Sequence, residues 1–181
     1  MEIVVKSRDA LPEIAGLGAP LAVVSVSDRP DDFPEVPASC DCRGALRLSF
    51  DDVEAGLDLF ADGRPVRPFS AHQARQVAAF VLGLPAEVCA LVFQCEAGLS
   101  RSPAMAAAVS RSMGLDDLRF FRMYIPNRLV YRLVLEQITP IYDRASGEAE
   151  CGLCGKTFFA HPPHPAFPWL RALCGGRNVK L

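Results

Sequence analysis

The stretch Ala90-Leu-Val-Phe-Gln-Cys95-Glu-Ala-Gly-Leu-Ser-Arg101-Ser-Pro103 decides the fold of this chain. Its first five residues form a continuous apolar run closed by Gln94, which is typical of a strand buried on both faces of a parallel sheet. The Ala-rich segment 102–113 predicts a helix, with Pro103 in the favoured first turn. A strand that passes through a glycine-centred link into a helix indicates an α/β protein.

The rest of the chain alternates between short apolar runs and helical periodicity, with an irregular proline-rich loop at 30–39. Strands are predicted at 2–6, 21–26, 46–50 and 90–94, and helices at 9–16, 70–81, 102–113, 116–122 and 127–141. This alternation predicts a mostly parallel central sheet flanked by helices. The character changes after residue 142, so we divide the chain into an α/β domain at 1–142 and a linker with a Cys/His-rich tail at 143–181.

Composition narrows the range of functions. The 181 residues carry a formal net charge of −2, which offers no broad basic surface for nucleic acid or an anionic membrane. No apolar run reaches the roughly 20 residues that span a bilayer, and the first residues lack the features of a signal peptide. The seven cysteines are an odd number and are expected to be reduced thiols in a soluble, cytoplasmic protein.

The link after Cys95 has the composition of an anion-binding loop. Backbone amides in such a loop point inward, and the N-terminus of the following helix adds partial positive charge. Arg101 supplies a planar fork that matches phosphate oxygens, and the same field favours the thiolate form of a Cys95 nucleophile. The alternative is a buried cysteine at a strand end and a surface arginine. The predicted phosphate-binding residues are Glu96, Ala97, Gly98, Leu99, Ser100 and Arg101.

The segment Cys95-Glu-Ala-Gly-Leu-Ser-Arg101-Ser102 resembles the Cys-x5-Arg-Ser/Thr signature of the protein tyrosine phosphatase superfamily, in a dual-specificity-like branch of the bacterial type. Pro126-Asn127 and the helical residues after it are similar to the segment that follows the loop in that branch. Leu46–Asp52 is similar to the strand that leads into its general acid. The likeness covers roughly residues 20–142.

The resemblance implies a phosphatase that forms a phosphocysteine at Cys95 and requires no cofactor. Its substrate would be a phosphorylated protein or a small phosphoester. Arg101 would hold the phosphate oxygens, and Ser102 would stabilise the departing sulfur. The family pattern and strand alternation favour Asp52 as the general acid. Asp51 points the other way, Asp62 is a further candidate, and residues 51 and 52 can also be ordinary turn carboxylates.

Two loop positions depart from expectation. Most of the superfamily has His where this chain has Gln94, which predicts slower turnover or a higher pH optimum. Glu96 beside the loop disfavours highly anionic substrates. A catalytically weak module that binds phosphorylated partners is therefore an alternative function. A thiol redox or arsenate-reducing enzyme is another, although no second cysteine lies near Cys95 in the sequence.

The tail begins with a Cys-x2-Cys pair that is typical of zinc sites. Four of its cysteines and histidines can in principle close a tetrahedral structural zinc site. The alternative is an extension whose aromatic residues pack on the domain. The candidate ligands are Cys151, Cys154, His161, His164 and Cys174.

Overall fold

The computed structural model describes residues 1–54, 59–60, 63–139, 141–142 and 149–150. Its centre is a four-stranded sheet in which all neighbouring strands run parallel, in the order β1-β4-β2-β3. The predicted mostly parallel sheet is therefore confirmed. The strands are β1 (Glu2–Ser7), β2 (Leu21–Ser27), β3 (Cys42–Ser49) and β4 (Ala90–Cys95).

In the described ranges, five helical segments lie between and after these strands. They are a 3-10 helix (Leu11–Leu17), α1 (Ala71–Leu82), α2 (Arg101–Ser112), α3 (Leu118–Met123) and α4 (Arg128–Ile138). A short antiparallel pair, β5 (Ile141–Tyr142) and β6 (Ala149–Glu150), follows. None of the helices in the described ranges has the length and apolarity needed to cross a bilayer.

Two predicted boundaries differ from the structure by three residues or more. β3 begins at Cys42 rather than at residue 46, because Leu21 at the start of β2 pairs with Cys42 and extends the ladder. α4 ends at Ile138 rather than at residue 141, because Thr139 precedes a proline and is extended (φ −87°, ψ 133°). A residue before proline is disfavoured in the α region, so the helix stops there.

The main core lies between one face of the sheet and the α-helices. α2 is buried nearly all round, and its run of alanines lets the helix backbone lie close to the sheet. α1 begins with a capping box between Ser70 and Gln73, which satisfies the first amides of the helix. The opposite face is covered by Leu11 and Ile14 of the 3-10 helix. The sequence predicts helices on both faces of the sheet. Among the described residues, the helix on the second face is a 3-10 helix.

The parallel arrangement brings the carboxyl ends of all four strands to one edge of the sheet. The residues that follow them are Arg8 after β1, Asp28 after β2, the pair at 51–52 after β3, and the 96–100 segment after β4. Ligand sites in open α/β sheets form at this edge. The candidate active site is built there.

Candidate active site

Cys95 is the last residue of β4, and its side chain is 2% exposed. Its Sγ lies 3.0 Å from the Oγ of Ser102, in the first turn of α2. A hydroxyl at that distance can donate a hydrogen bond to the sulfur when the sulfur is ionised. The two residues are thus in contact where a strand turns into a helix.

The loop after Cys95 lies directly against the end of β1. Gly98 has φ +69°, and a Cβ built on it would lie 2.7 Å from the backbone nitrogen of Ser7. The amide of Arg8 donates to the carbonyl of Glu96 at 3.0 Å. A side chain at position 98 is therefore excluded by both backbone conformation and space.

The other side of the loop is fixed by the segment before α4. The amide of Ile125 donates to the carbonyl of Leu99 at 3.0 Å, and the amide of Asn127 donates to the carbonyl of Ser100 at 3.2 Å. The amides of Ala97, Gly98 and Leu99 make no hydrogen bond to any described residue. Amides left free in a rigid loop at a helix N-terminus can bind an anion.

Arg101 is buried, with 4% of its surface exposed. Its Nη1 donates to the carboxylate of Asp28 and, at 2.8 Å, to the carbonyl of Phe50. Its Nε is buried and has no hydrogen-bond partner among the described residues. The guanidinium is therefore held through one nitrogen, and its Nε–Nη2 edge has no hydrogen-bond partner among the described residues. Two N–H groups side by side in this way can bind an oxyanion through two hydrogen bonds.

Asp52 lies at the same loop, and its side chain is about one-third exposed. Its Oδ1 accepts hydrogen bonds from the Oγ of Ser100 at 2.8 Å and the Nδ2 of Asn127 at 2.9 Å. Its Oδ2 is 4.0 Å from the Nε of Arg101. The structure therefore brings this aspartate together with Arg101 and with the loop after Cys95.

Asp51 lies on the other side of the chain and belongs to a different set of contacts. Its carboxylate is 3% exposed and accepts from the amide of Arg67 at 2.7 Å and from Nη1 of Arg64 at 3.0 Å. Burial acts to raise the pKa of Asp51, but these hydrogen bonds and the two guanidinium charges outweigh it and hold the pKa below its ordinary value. The structure does not bring Asp51 to the loop. Asp62 lies outside the described residues.

The carboxylate of Glu96 is paired rather than free at the mouth of the loop. It accepts from Nη1 of Arg8 at 2.9 Å, and the Oγ of Ser27 lies 3.5 Å away. Arg8 also binds the carboxylate of Asp32. Glu96 and Asp32 therefore share one cation, which lies at the end of the neighbouring strand.

Gln94, the residue before Cys95, is completely buried. Its Oε1 accepts from the Oγ of Ser25 on β2 at 2.5 Å. Its Nε2 has no partner among the described residues. Gln94 therefore ties β4 to β2 directly beneath the loop and leaves one buried donor unsatisfied.

Sequence reasoning missed two residues of this site, Asp28 and Arg8. Each lies two residues after the end of a predicted strand, and parallel strands end at a common edge. That placement was the available signal.

Cys40, Cys42 and Cys89 are free thiols outside the loop. The proposed zinc ligands at 151–174 lie outside the described residues, and the part of the chain that is described contains no cluster of metal-binding side chains.

The comparisons with known proteins give a structural likeness only. No protein-family model matches the sequence, and no curated protein matches it. The crystal structure of human DUSP28 is 18% identical, covers 73% of this chain and 87% of its own, and has a TM-score of 0.45. A variant of human DUSP28 with a tyrosine-to-histidine substitution is 24% identical, covers 73% of this chain and 86% of its own, and has the same TM-score of 0.45.

Proposed function

We propose that this chain is a cysteine-dependent phosphatase that hydrolyses phosphate monoesters through a phosphocysteine intermediate. The observation that carries the proposal is the 3.0 Å contact between Cys95 Sγ and Ser102 Oγ, at the base of a loop whose amides are unpaired among the described residues. The Nε–Nη2 edge of Arg101, which has no hydrogen-bond partner among the described residues, borders the same loop. A nucleophile, an anion cradle and a bidentate cation therefore occur together.

In the first step the thiolate of Cys95 attacks phosphorus, forming an S–P bond as the ester P–O bond breaks. The leaving oxygen takes a proton from Asp52, which is the candidate acid because it accepts a hydrogen bond from Ser100 of the loop and approaches Arg101. The equatorial oxygens lie between the loop amides and the Nε–Nη2 edge of Arg101. These donors stabilise the charge that spreads over the phosphoryl group.

In the second step water attacks the phosphocysteine, and Asp52 as carboxylate accepts the proton of that water. The S–P bond breaks and returns the electron pair to the sulfur of Cys95. The hydroxyl of Ser102 donates to that sulfur and lowers the energy of the thiolate as it leaves. Inorganic phosphate is then released from the loop.

Within this class the proposal is a dual-specificity-like enzyme acting on phosphorylated protein or on a small phosphoester. It rests on the loop sequence, on Asn127 and on the aspartate after β3. Asn127 caps α4 through its Oδ1 while its Nδ2 binds the candidate acid. Glu96 shares the single charge of Arg8 with Asp32, and Asp28 and Asp52 approach Arg101, so the carboxylates around the loop would together disfavour highly anionic substrates.

Hydrolysis of p-nitrophenyl phosphate tests the proposal. The wild type is expected to release p-nitrophenol, Cys95→Ser to be inactive, and Asp52→Asn to lose about 100-fold in kcat, the usual size of a general-acid effect. Asp51→Asn is the matched control and keeps activity at neutral pH, provided that the variant is folded. If the wild type and Cys95→Ser are equally inactive but both bind phosphopeptide, the chain is a phosphate-binding module.

A further inference from the structure

We propose that Asp28 is a positioning residue that holds the guanidinium of Arg101 in its phosphate-binding orientation and moderates the affinity of the loop for anions. The inference deepens the proposed function and rests on it. Asp28 is the residue after β2, and its carboxylate accepts a hydrogen bond from Nη1 of Arg101. No family motif quoted above includes this position.

The hydrogen-bond inventory of Arg101 gives Asp28 this role. Both hydrogens of Nη1 have acceptors, one on Asp28 and one on the carbonyl of Phe50. With both satisfied, the guanidinium can rotate only by breaking one of them. The Nε–Nη2 edge then faces away from these two acceptors. Without Asp28 the carbonyl of Phe50 would be the one hydrogen-bond acceptor left to Arg101 among the described residues, and an arginine held by fewer hydrogen bonds keeps more of its rotational freedom.

Asp28 is itself held in place through its backbone. The Nη2 of Arg67 donates to the carbonyl of Asp28, and its Nη1 donates to the Oγ of Ser49 at 3.3 Å. The amide of Arg67 binds the buried Asp51. These contacts use the backbone of position 28, so a change of its side chain leaves them in place.

The same carboxylate lowers the positive charge available to an anion. The side chain of Asp28 is 53% exposed and pairs with Nη1, while Asp52 approaches the opposite nitrogen, Nε, at 4.0 Å. A phosphate bound at the remaining edge would lie close to both carboxylates. Removing the charge of Asp28 while keeping its oxygen acceptor should therefore strengthen phosphate binding without disturbing the orientation of Arg101.

The experiment compares Asp28→Asn with Asp28→Ala. The asparagine keeps an oxygen that can accept from Nη1, and its kcat is expected to stay within about threefold of wild type. The alanine loses the acceptor, and its kcat is expected to fall about tenfold, as for the loss of one hydrogen bond to a charged group. Rescue of kcat by asparagine separates a positioning role from a charge effect.

Calorimetric titration with inorganic phosphate supplies the second measurement and does not require turnover. Asp28→Asn is expected to bind phosphate at least about threefold more tightly than wild type, while Asp28→Ala gains less because its arginine is less well oriented. Asp31→Asn is the matched control, since Asp31 is an exposed carboxylate in the same loop and makes no hydrogen bond or ion pair with Arg101. Asp31→Asn should change neither kcat nor the affinity for inorganic phosphate.

The outcomes are distinguishable from a failure of the proposed function. Equal loss of kcat in both variants at position 28 overturns the positioning role, and unchanged phosphate affinity in Asp28→Asn overturns the charge role. An effect of equal size in Asp31→Asn also refutes the assignment. If the wild type is inactive, the phosphatase proposal fails, yet the two phosphate affinities still decide whether Asp28 acts on Arg101.

Discussion

Gly98 offers the sharpest test of how the loop is built, because its substitution by alanine brings two separable costs. The first is conformational: φ is +69°, and an L-residue in the left-handed region costs about 1–2 kcal/mol. The second is steric: the added Cβ would lie 2.7 Å from Ser7 N and 3.0 Å from Lys6 C. Both atoms belong to the backbone of β1, so neither can move cheaply.

Gly114 separates these costs, since its φ is +71° and a Cβ there meets nothing within 4 Å. Gly114→Ala should destabilise the protein by about 1–2 kcal/mol, the conformational cost alone. Gly98→Ala should cost about 1–3 kcal/mol more, the range for an overpacked site. Urea unfolding of the two variants and wild type measures the difference.

Gly98→Ala should also weaken phosphate binding, because relief of the clash moves the loop amides away from β1. Calorimetry with inorganic phosphate should show at least about a tenfold loss for Gly98→Ala, equal to about 1.4 kcal/mol, and no change for Gly114→Ala. The reasoning is refuted if the two variants are equally stable, or if Gly98→Ala is destabilised and still binds phosphate with wild-type affinity.

Three further outcomes are expected. Asp51→Asn should lower the free energy of unfolding by about 1–3 kcal/mol at pH 7. Because the folded pKa of Asp51 lies below its ordinary value, this difference should shrink as the pH falls below about 4 in acid-unfolding curves, and an undiminished difference would contradict the Arg64 pairing. Gln94→His should shift the pH–rate profile for p-nitrophenyl phosphate to lower pH, and an unchanged profile would count against a role for this position. Ser102→Ala should leave the nitrophenol burst intact but slow breakdown of the Cys95 phosphoenzyme about tenfold or more, so that rapid-quench trapping finds more intermediate. Unaltered trapping would argue against its contact with the sulfur.

The strand–loop–helix segment around Cys95 could be predicted from sequence because its determinants are local. Strand, glycine, arginine and helix follow one another within residues 90–113, and each has a composition that favours its structure. The parallel sheet could be predicted from the alternation of short apolar runs with helical periodicity along the chain. The extent of β3 did not, because it depends on pairing with β2, and the end of α4 was missed although the proline after Thr139 signals it.

The remaining site residues could not be ranked from sequence because their roles depend on contacts between distant segments. Asp51 and Asp52 are adjacent carboxylates with the same composition around them. Only the tertiary structure shows that Asp51 binds Arg64 and Arg67. It likewise shows that Asp52 binds Asn127, which lies 75 positions further along the chain. Strand alternation separated their directions, but it did not reveal that Asp51 has its own cations.

The contacts of the loop also explain why so short a motif can be rigid. Its backbone is held by β1 through Gly98 and the amide of Arg8, and by the segment before α4 through the amides of Ile125 and Asn127. None of these contacts depends on the identity of a loop side chain other than the absence of one at position 98. The loop backbone is therefore held without help from its side chains, and we expect sequence changes at positions 96, 97 and 99 to leave its conformation intact.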